Sequence, residues 1–174
     1  MIISKTFEFD YGHRVWTQKL NQKYSLDNRS VCRHLHGHRG VIQVMLKGPV
    51  LPDGMVTDFK HLNWFKKWVD DHIDHKFIID INDPMIAMII PNYRTFGLIK
   101  HKYFQTIDLK SIKDQTMIEI LEGYCIVDFV PTSENLSKWF HKVVDDKMKK
   151  LNVKTHGIIF KETPKSTSYY EPGK

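Results

Sequence analysis

Ile3, Phe7, Phe9 and Tyr11 stand on one parity of the first eleven residues, and His13 continues that parity. A period of two marks a half-buried strand, so this segment must lay one face against a core and end that face on a histidine. A polar loop follows from Thr17 to Ser30. The stretch "HRGVIQVMLKG" then puts His38, Ile42, Val44 and Leu46 on one face, a second strand, and "LPDG" reads as a turn. A helix is expected from "TDF" with Asp58 as its N-cap, and Phe59, Leu62, Phe65, Trp68, Val69 and Ile73 follow at helical spacing. "PTSENLSKWFHKVVDDKMKK" predicts a second helix, capped by Thr132 or Ser133, with Leu136, Phe140, Val143 and Val144 inward. "VKTHGIIFKE" predicts a third strand and "STSYY" a fourth. Strand, strand, helix, helix, strand, strand is an α+β order, not an alternating βαβ one.

Between the helices, "TFGLIKHKYFQTIDL" and "MIEILEGYCIVDF" read as extended strands, a hairpin or an added sheet edge. That segment is too apolar for a disordered linker. The expected organisation is therefore one domain over residues 1–174 with an inserted extended segment at about 85–128. No apolar run approaches the ~20 residues that cross a bilayer, and the first residues lack the basic head and apolar middle of a signal peptide. A cytoplasmic protein with no membrane partner is expected. The net charge of +6 suggests an anionic partner. The lysines are scattered, without the aromatic-interleaved stripe of a nucleic-acid platform. A small phosphorylated metabolite and a plain solvated surface explain the charge equally well.

Cys32 and Cys125 are the two cysteines of the chain and lie far apart, which excludes a disulfide framework. Cys32 opens "CRHLHGH", where every second residue is a possible ligand or nucleophile: Cys32, His34, His36, His38. An extended strand advances ~3.3 Å per residue, which would set Cys32 and His38 ~20 Å apart. Zinc holds nitrogen at ~2.0–2.1 Å, so the four cannot share one ion unless the chain doubles back. His36 and His38 share a face with Gly37 between them, and a neighbouring antiparallel strand can bring His13 beside His38. Three histidines with an open fourth position is the arrangement of a catalytic zinc. His34 falls outside this set.

"FDYGHRV", "CRHLHGH", "GMVTDF", "IDHKF", "PTSENLSKW" and "FKET" occur in an order and spacing that resemble the 6-pyruvoyl-tetrahydropterin synthase family. The resemblance spans roughly residues 1 to 84 and 128 to 165. It is closest to the 6-carboxy-tetrahydropterin synthase branch, which serves queuosine and 7-deazaguanine biosynthesis. It implies a T-fold, an antiparallel sheet with two helices on one face, assembled as a homohexamer of two trimers with active sites at subunit interfaces. It implies Zn2+ on His13, His36 and His38, with Cys32 as the catalytic cysteine. The Cys-x-x-x-His-Gly-His gap is the shorter spacing of the carboxy-forming branch. The family's Asp-His pair falls on Asp74 and His75, which then serve a neighbouring subunit's zinc. Its pterin-anchoring glutamate falls on Glu162, and Thr132, Ser133 and Glu134 lie in the stretch near the pterin. Gly12 stands where the family has alanine.

The chemistry of these residue types agrees. A pterin offers a 2-amino group and a ring N–H as parallel donors that a carboxylate such as Glu162 accepts in bidentate fashion. A glutamate paired with Lys or Arg is the structural alternative. Asp74 beside His75 makes an acid/base with an orienting carboxylate, although a polar helix end would contain the same residues. Cys32 near a metal is suited to remove a proton, while Cys125 in apolar "YCIVDF" reads as a packing thiol. Capping alone accounts for Asp58, and it also suffices for Thr132, Ser133 and Glu134.

The implied reaction converts 7,8-dihydroneopterin triphosphate to 6-carboxy-5,6,7,8-tetrahydropterin, acetaldehyde and triphosphate. The alternatives are the pyruvoyl-forming elimination of triphosphate and, from another class, a non-catalytic zinc-stabilised nucleic-acid-binding module. Intact Cys32, Asp74, His75 and Glu162 argue against the latter, and nucleic acid is not expected as a partner.

Overall fold

In the computed structural model, which describes residues 1–151 and 153–173, the opening alternation becomes β1 (Ile2–His13), with Phe7, Phe9, Tyr11 and His13 buried at every second position. β2 (His36–Lys47) repeats the pattern through Gly40, Ile42, Val44 and Leu46. A 3₁₀ turn over Phe59–Leu62 leads into α1 (Asn63–His72), and Asp58 caps that turn by accepting the Lys60 N–H at 2.7 Å. Next come β3 (Lys76–Asp80), α2 (Ile86–Ile89), α3 (Tyr93–Phe96), β4 (Leu98–Lys100), β5 (Gln105–Ile107), α4 (Gln115–Leu121) and β6 (Tyr124–Val127). α5 (Ser133–Met148), β7 (Lys154–Thr163) and β8 (Ser166–Tyr170) complete the chain. The strands run β4-β5-β6-β3-β1-β2-β7-β8 in one sheet.

Contacts divide the chain into two compact units: Met1–Asp10 with His38–Asp74 and Ser133–Lys174, and Tyr11–Gly37 with His75–Thr132. In the first, β2 pairs antiparallel with β7 and β7 with β8. α1 and α5 cover one face of this ladder through an aromatic core. Phe65 meets Phe7 edge-on at 5.2 Å, and Phe140 meets Phe9 at 5.9 Å and Phe160 at 5.6 Å. Such edge-to-face pairs add about 0.5–1.5 kcal/mol beyond the area they bury.

The second unit is built differently. The end of β1 pairs parallel with β3, and β3 parallel with β6, while β6, β5 and β4 pair antiparallel. The α+β class holds, but these two parallel ladders depart from the expected antiparallel sheet. β3 carries no alternation because Ile78, Ile79 and Asp80 are all buried, the usual state of a strand covered on both faces. "TFGLIKHKYFQTIDL", expected as one extended strand, instead folds back on itself as the short antiparallel pair β4 and β5. "MIEIL" is not a strand, however, but most of α4. The Asp114 carboxylate accepts the Met117 N–H at 2.9 Å and so starts a helix there. Ile79, Ile86, Ile90, Tyr93, Ile107, Leu121 and Ile126 form this unit's aliphatic core. Among the described residues no helix is long and apolar enough to cross a membrane.

Candidate metal centre and active site

Strand pairing delivers three histidines to one place. One ligand atom each from His13, His36 and His38 lies within 4.8 Å of the others, and this is the group of metal-capable side chains found among the described residues. His13 is fully buried, and its ring centroid is 4.5 Å from that of His36. The backbone allows this approach because position 37 is glycine: a Cβ there would stand 2.9 Å from the Tyr11 carbonyl oxygen.

Two backbone carbonyls orient the rings. His13 Nδ1 is 2.7 Å from the Pro131 carbonyl oxygen, and His36 Nδ1 is 2.8 Å from the His34 carbonyl oxygen. A carbonyl only accepts, so each Nδ1 carries the proton and the lone pair of each neutral ring sits at Nε2. Histidine ligands are commonly set in this way, with the second nitrogen donating to a carbonyl. The donor set and the tautomers of these two rings therefore fit a divalent metal ion. His34, expected to stand outside the set, is exposed and contributes its carbonyl. Neither carbonyl was legible beforehand, because every residue has one and only the fold decides where it points.

Cys32 lies in a 3₁₀ turn (Val31–Arg33), half-buried and outside the histidine group. Its N–H donates to Gln18 Oε1 at 2.9 Å, and its carbonyl accepts the Val15 N–H at 2.7 Å. Cys125 is buried on β6, and burial pushes its thiol well up from the ordinary range, as expected of a packing cysteine. Asp74 and His75 follow the end of α1. Asp74 Oδ1 accepts the Asp10 N–H at 2.8 Å, which ties the carboxylate to β1 three residues before His13. His75 is exposed and left-handed at φ 57°, a conformation that costs a non-glycine residue about 1–2 kcal/mol.

Glu162 is half-buried near the end of β7, where the register with β8 shifts between Lys161 and Thr163. The glutamate is thus the extra residue of a β-bulge, a feature that re-aims a side chain. Thr132 and Ser133 are half-buried and Glu134 exposed at the start of α5, directly after the carbonyl that holds His13. Ser137 and Ser168 both donate to the Ser133 carbonyl, at 2.8 and 2.9 Å, and so fasten β8 to this helix end. Gly12 also has a structural reason: a Cβ would come within 2.5 Å of the Phe77 ring, which fills the space an alanine methyl would take.

A family model described as 6-pyruvoyl tetrahydropterin synthase matches residues 2–173, a wider span than the motifs alone. The 6-carboxy-5,6,7,8-tetrahydropterin synthase of Aquifex aeolicus is 30% identical over 97% of this chain and 96% of that protein. Among solved structures, an uncharacterized protein of Wolinella succinogenes matches with a TM-score of 0.95 at 40% identity, covering 99% of this chain and 98% of that one. The 6-pyruvoyl tetrahydropterin synthase of Caenorhabditis elegans shares the fold, with a TM-score of 0.58 at 21% identity, covering 99% of this chain and 96% of that one. Fold and matches together define an enzyme of the lyase class on a T-fold. The chain belongs to the 6-pyruvoyl tetrahydropterin synthase family.

Proposed function

We propose that this chain is a zinc-dependent 6-carboxy-tetrahydropterin synthase. In this reading it converts 7,8-dihydroneopterin triphosphate, with uptake of water, to 6-carboxy-5,6,7,8-tetrahydropterin, acetaldehyde and triphosphate for queuosine or related 7-deazaguanine synthesis. The observation that carries it is the histidine triad on this family's fold, with two rings held by carbonyls in the tautomer a metal requires. The 30% identity to the Aquifex enzyme along nearly the whole chain supports the carboxy-forming branch.

His13, His36 and His38 hold the zinc, which supplies a Lewis acid for the hydroxyls of the substrate side chain. Glu162 accepts the two parallel pterin donors, and the bulge at that position supports such a role. Thr132, Ser133 and Glu134 line the same pterin site. Cys32 removes a proton from the side chain, and His75, oriented by Asp74, moves the second. The chain acts as one T-fold domain with the 85–128 segment inserted, in keeping with a family match that spans both of its contact units. It works in the cytoplasm as a homohexamer of two trimers, in which Asp74 and His75 serve a neighbouring subunit.

The test is product analysis after incubation of the zinc-loaded protein with dihydroneopterin triphosphate. The expected result is the carboxy product with one acetaldehyde for each triphosphate released. A product that keeps all side-chain carbons, with no acetaldehyde, contradicts the proposal and assigns the pyruvoyl-forming reaction. Cys32→Ala is expected to lower turnover by about 10²-fold or more, and unchanged turnover removes Cys32 from the mechanism.

A further inference from the structure

Arg14 and Trp16, just past His13, carry side chains for which the functional reading has no use. The Arg14 side chain is 9% exposed and faces an Asp83 side chain that is 0% exposed, with Nε 3.0 Å from Oδ2. Its Nη1 reaches the Met85 sulfur at 2.8 Å. Two residues on, Trp16 Nε1 donates to Asp80 Oδ2 at 2.9 Å. The two acids are themselves fixed. Asp80 Oδ1 accepts from the backbone and side chain of Asn82, Asp83 Oδ1 accepts the Met85 N–H, and the Asp83 N–H donates to the Asp80 carbonyl. A rigid acidic turn after β3 therefore grips the chain that leaves β1 at two points.

A buried ion pair is a poor way to gain stability, since an apolar pair of similar size does as well or better. What it does well is hold one arrangement against others. The gripped segment also holds Cys32, through the Val15 N–H to the Cys32 carbonyl and through Gln18 Oε1 to the Cys32 N–H. Arg33 Nε adds a bond to the Gln18 carbonyl. His13 precedes the gripped residues directly.

We propose that the Asp80–Asp83 turn, acting through Arg14 and Trp16, is a positioning clamp that sets Cys32 relative to His13. Arg14, Trp16, Asp80 and Asp83 are positioning residues, and none of them touches the substrate. The inference rests on the reading of Cys32 as the residue that moves a proton. Its test does not, because thiol labelling reports where the thiol sits whatever chemistry it performs.

The experiment compares the rate of Cys32 alkylation by iodoacetamide in the folded, zinc-loaded protein, in Asp83→Asn and in Trp16→Phe, by mass spectrometry. Trp16→Phe keeps an aromatic ring and removes one N–H donor, so it retains the fold even if Asp83→Asn does not. Ile90→Ala, which loosens the aliphatic core and removes no atom of the clamp's hydrogen bonds or ion pair, is the control. The clamp predicts labelling more than twofold faster in a clamp variant and unchanged in Ile90→Ala. Rates within twofold of wild type in the clamp variants, or a rise shared by Ile90→Ala, overturn it.

Discussion

The two contact units reach burial by different means. In the first, long elements carry the pattern: the 12-residue strand β2, the 10-residue strand β7 and the 16-residue helix α5, closing on an aromatic core. In the second, elements of three to seven residues close on an aliphatic core. A pattern needs length to be read, so the first unit was largely legible and the second was not. The lesson concerns information per element, because both interiors are fully buried.

The largest expected effect comes from cutting each core. Phe140→Ala, which removes a ring shared by Phe9, Phe65 and Phe160, should cost about 3–5 kcal/mol. Ile90→Ala should cost about 2–5 kcal/mol from the other core, where Ile90 is fully buried. Denaturant midpoints measure both. Coincident loss of fluorescence and far-UV signal in each variant is expected, since the division between units falls within β1 and β2 themselves. Two separate transitions would sharpen the comparison into two independent domains and contradict the single-domain reading.

Gly12→Ala comes next. The added methyl meets the Phe77 ring at 2.5 Å, and overpacking of this kind costs about 1–3 kcal/mol. A thermal midpoint equal to wild type would show that the ring moves aside freely. The caps are smaller and should be equal in the two units. Asp58→Ala and Asp114→Ala each remove a carboxylate that accepts a backbone N–H at a helix start, at about 1 kcal/mol. Unequal costs would show that one helix start leans on its cap more than the other. The smallest structural effect is the sharpest chemically. Because burial raises the Cys125 thiol, it stays protonated near neutral pH, so iodoacetamide should modify Cys32 alone in the folded protein and both thiols in urea. Labelling of Cys125 without denaturant would contradict its burial.

β1, β2, α5 and β7 could be read from residue periods because each has one wet face and one dry one. β3 could not, since a strand buried on both faces has no alternation to show. α4 was misread because Ile118 and Ile120 imitate a strand, while the signal that decides the matter is Asp114, three residues before Met117. At the site, His13, His36 and His38 were legible because two strands with histidines in the right parity need only pair. The Pro131 and His34 carbonyls, and the partners of Arg14 and Trp16, were not, since only tertiary structure assigns them.

The central claim is that these three histidines hold a catalytic zinc. The most direct measurement is zinc content after dialysis, for the wild-type protein and for the triple variant His13→Ala/His36→Ala/His38→Ala, with far-UV dichroism to confirm the fold. A three-histidine site predicts about one zinc per wild-type chain and none in the folded variant. Zinc retained by the variant, or absent from wild-type protein supplied with zinc, would contradict the account.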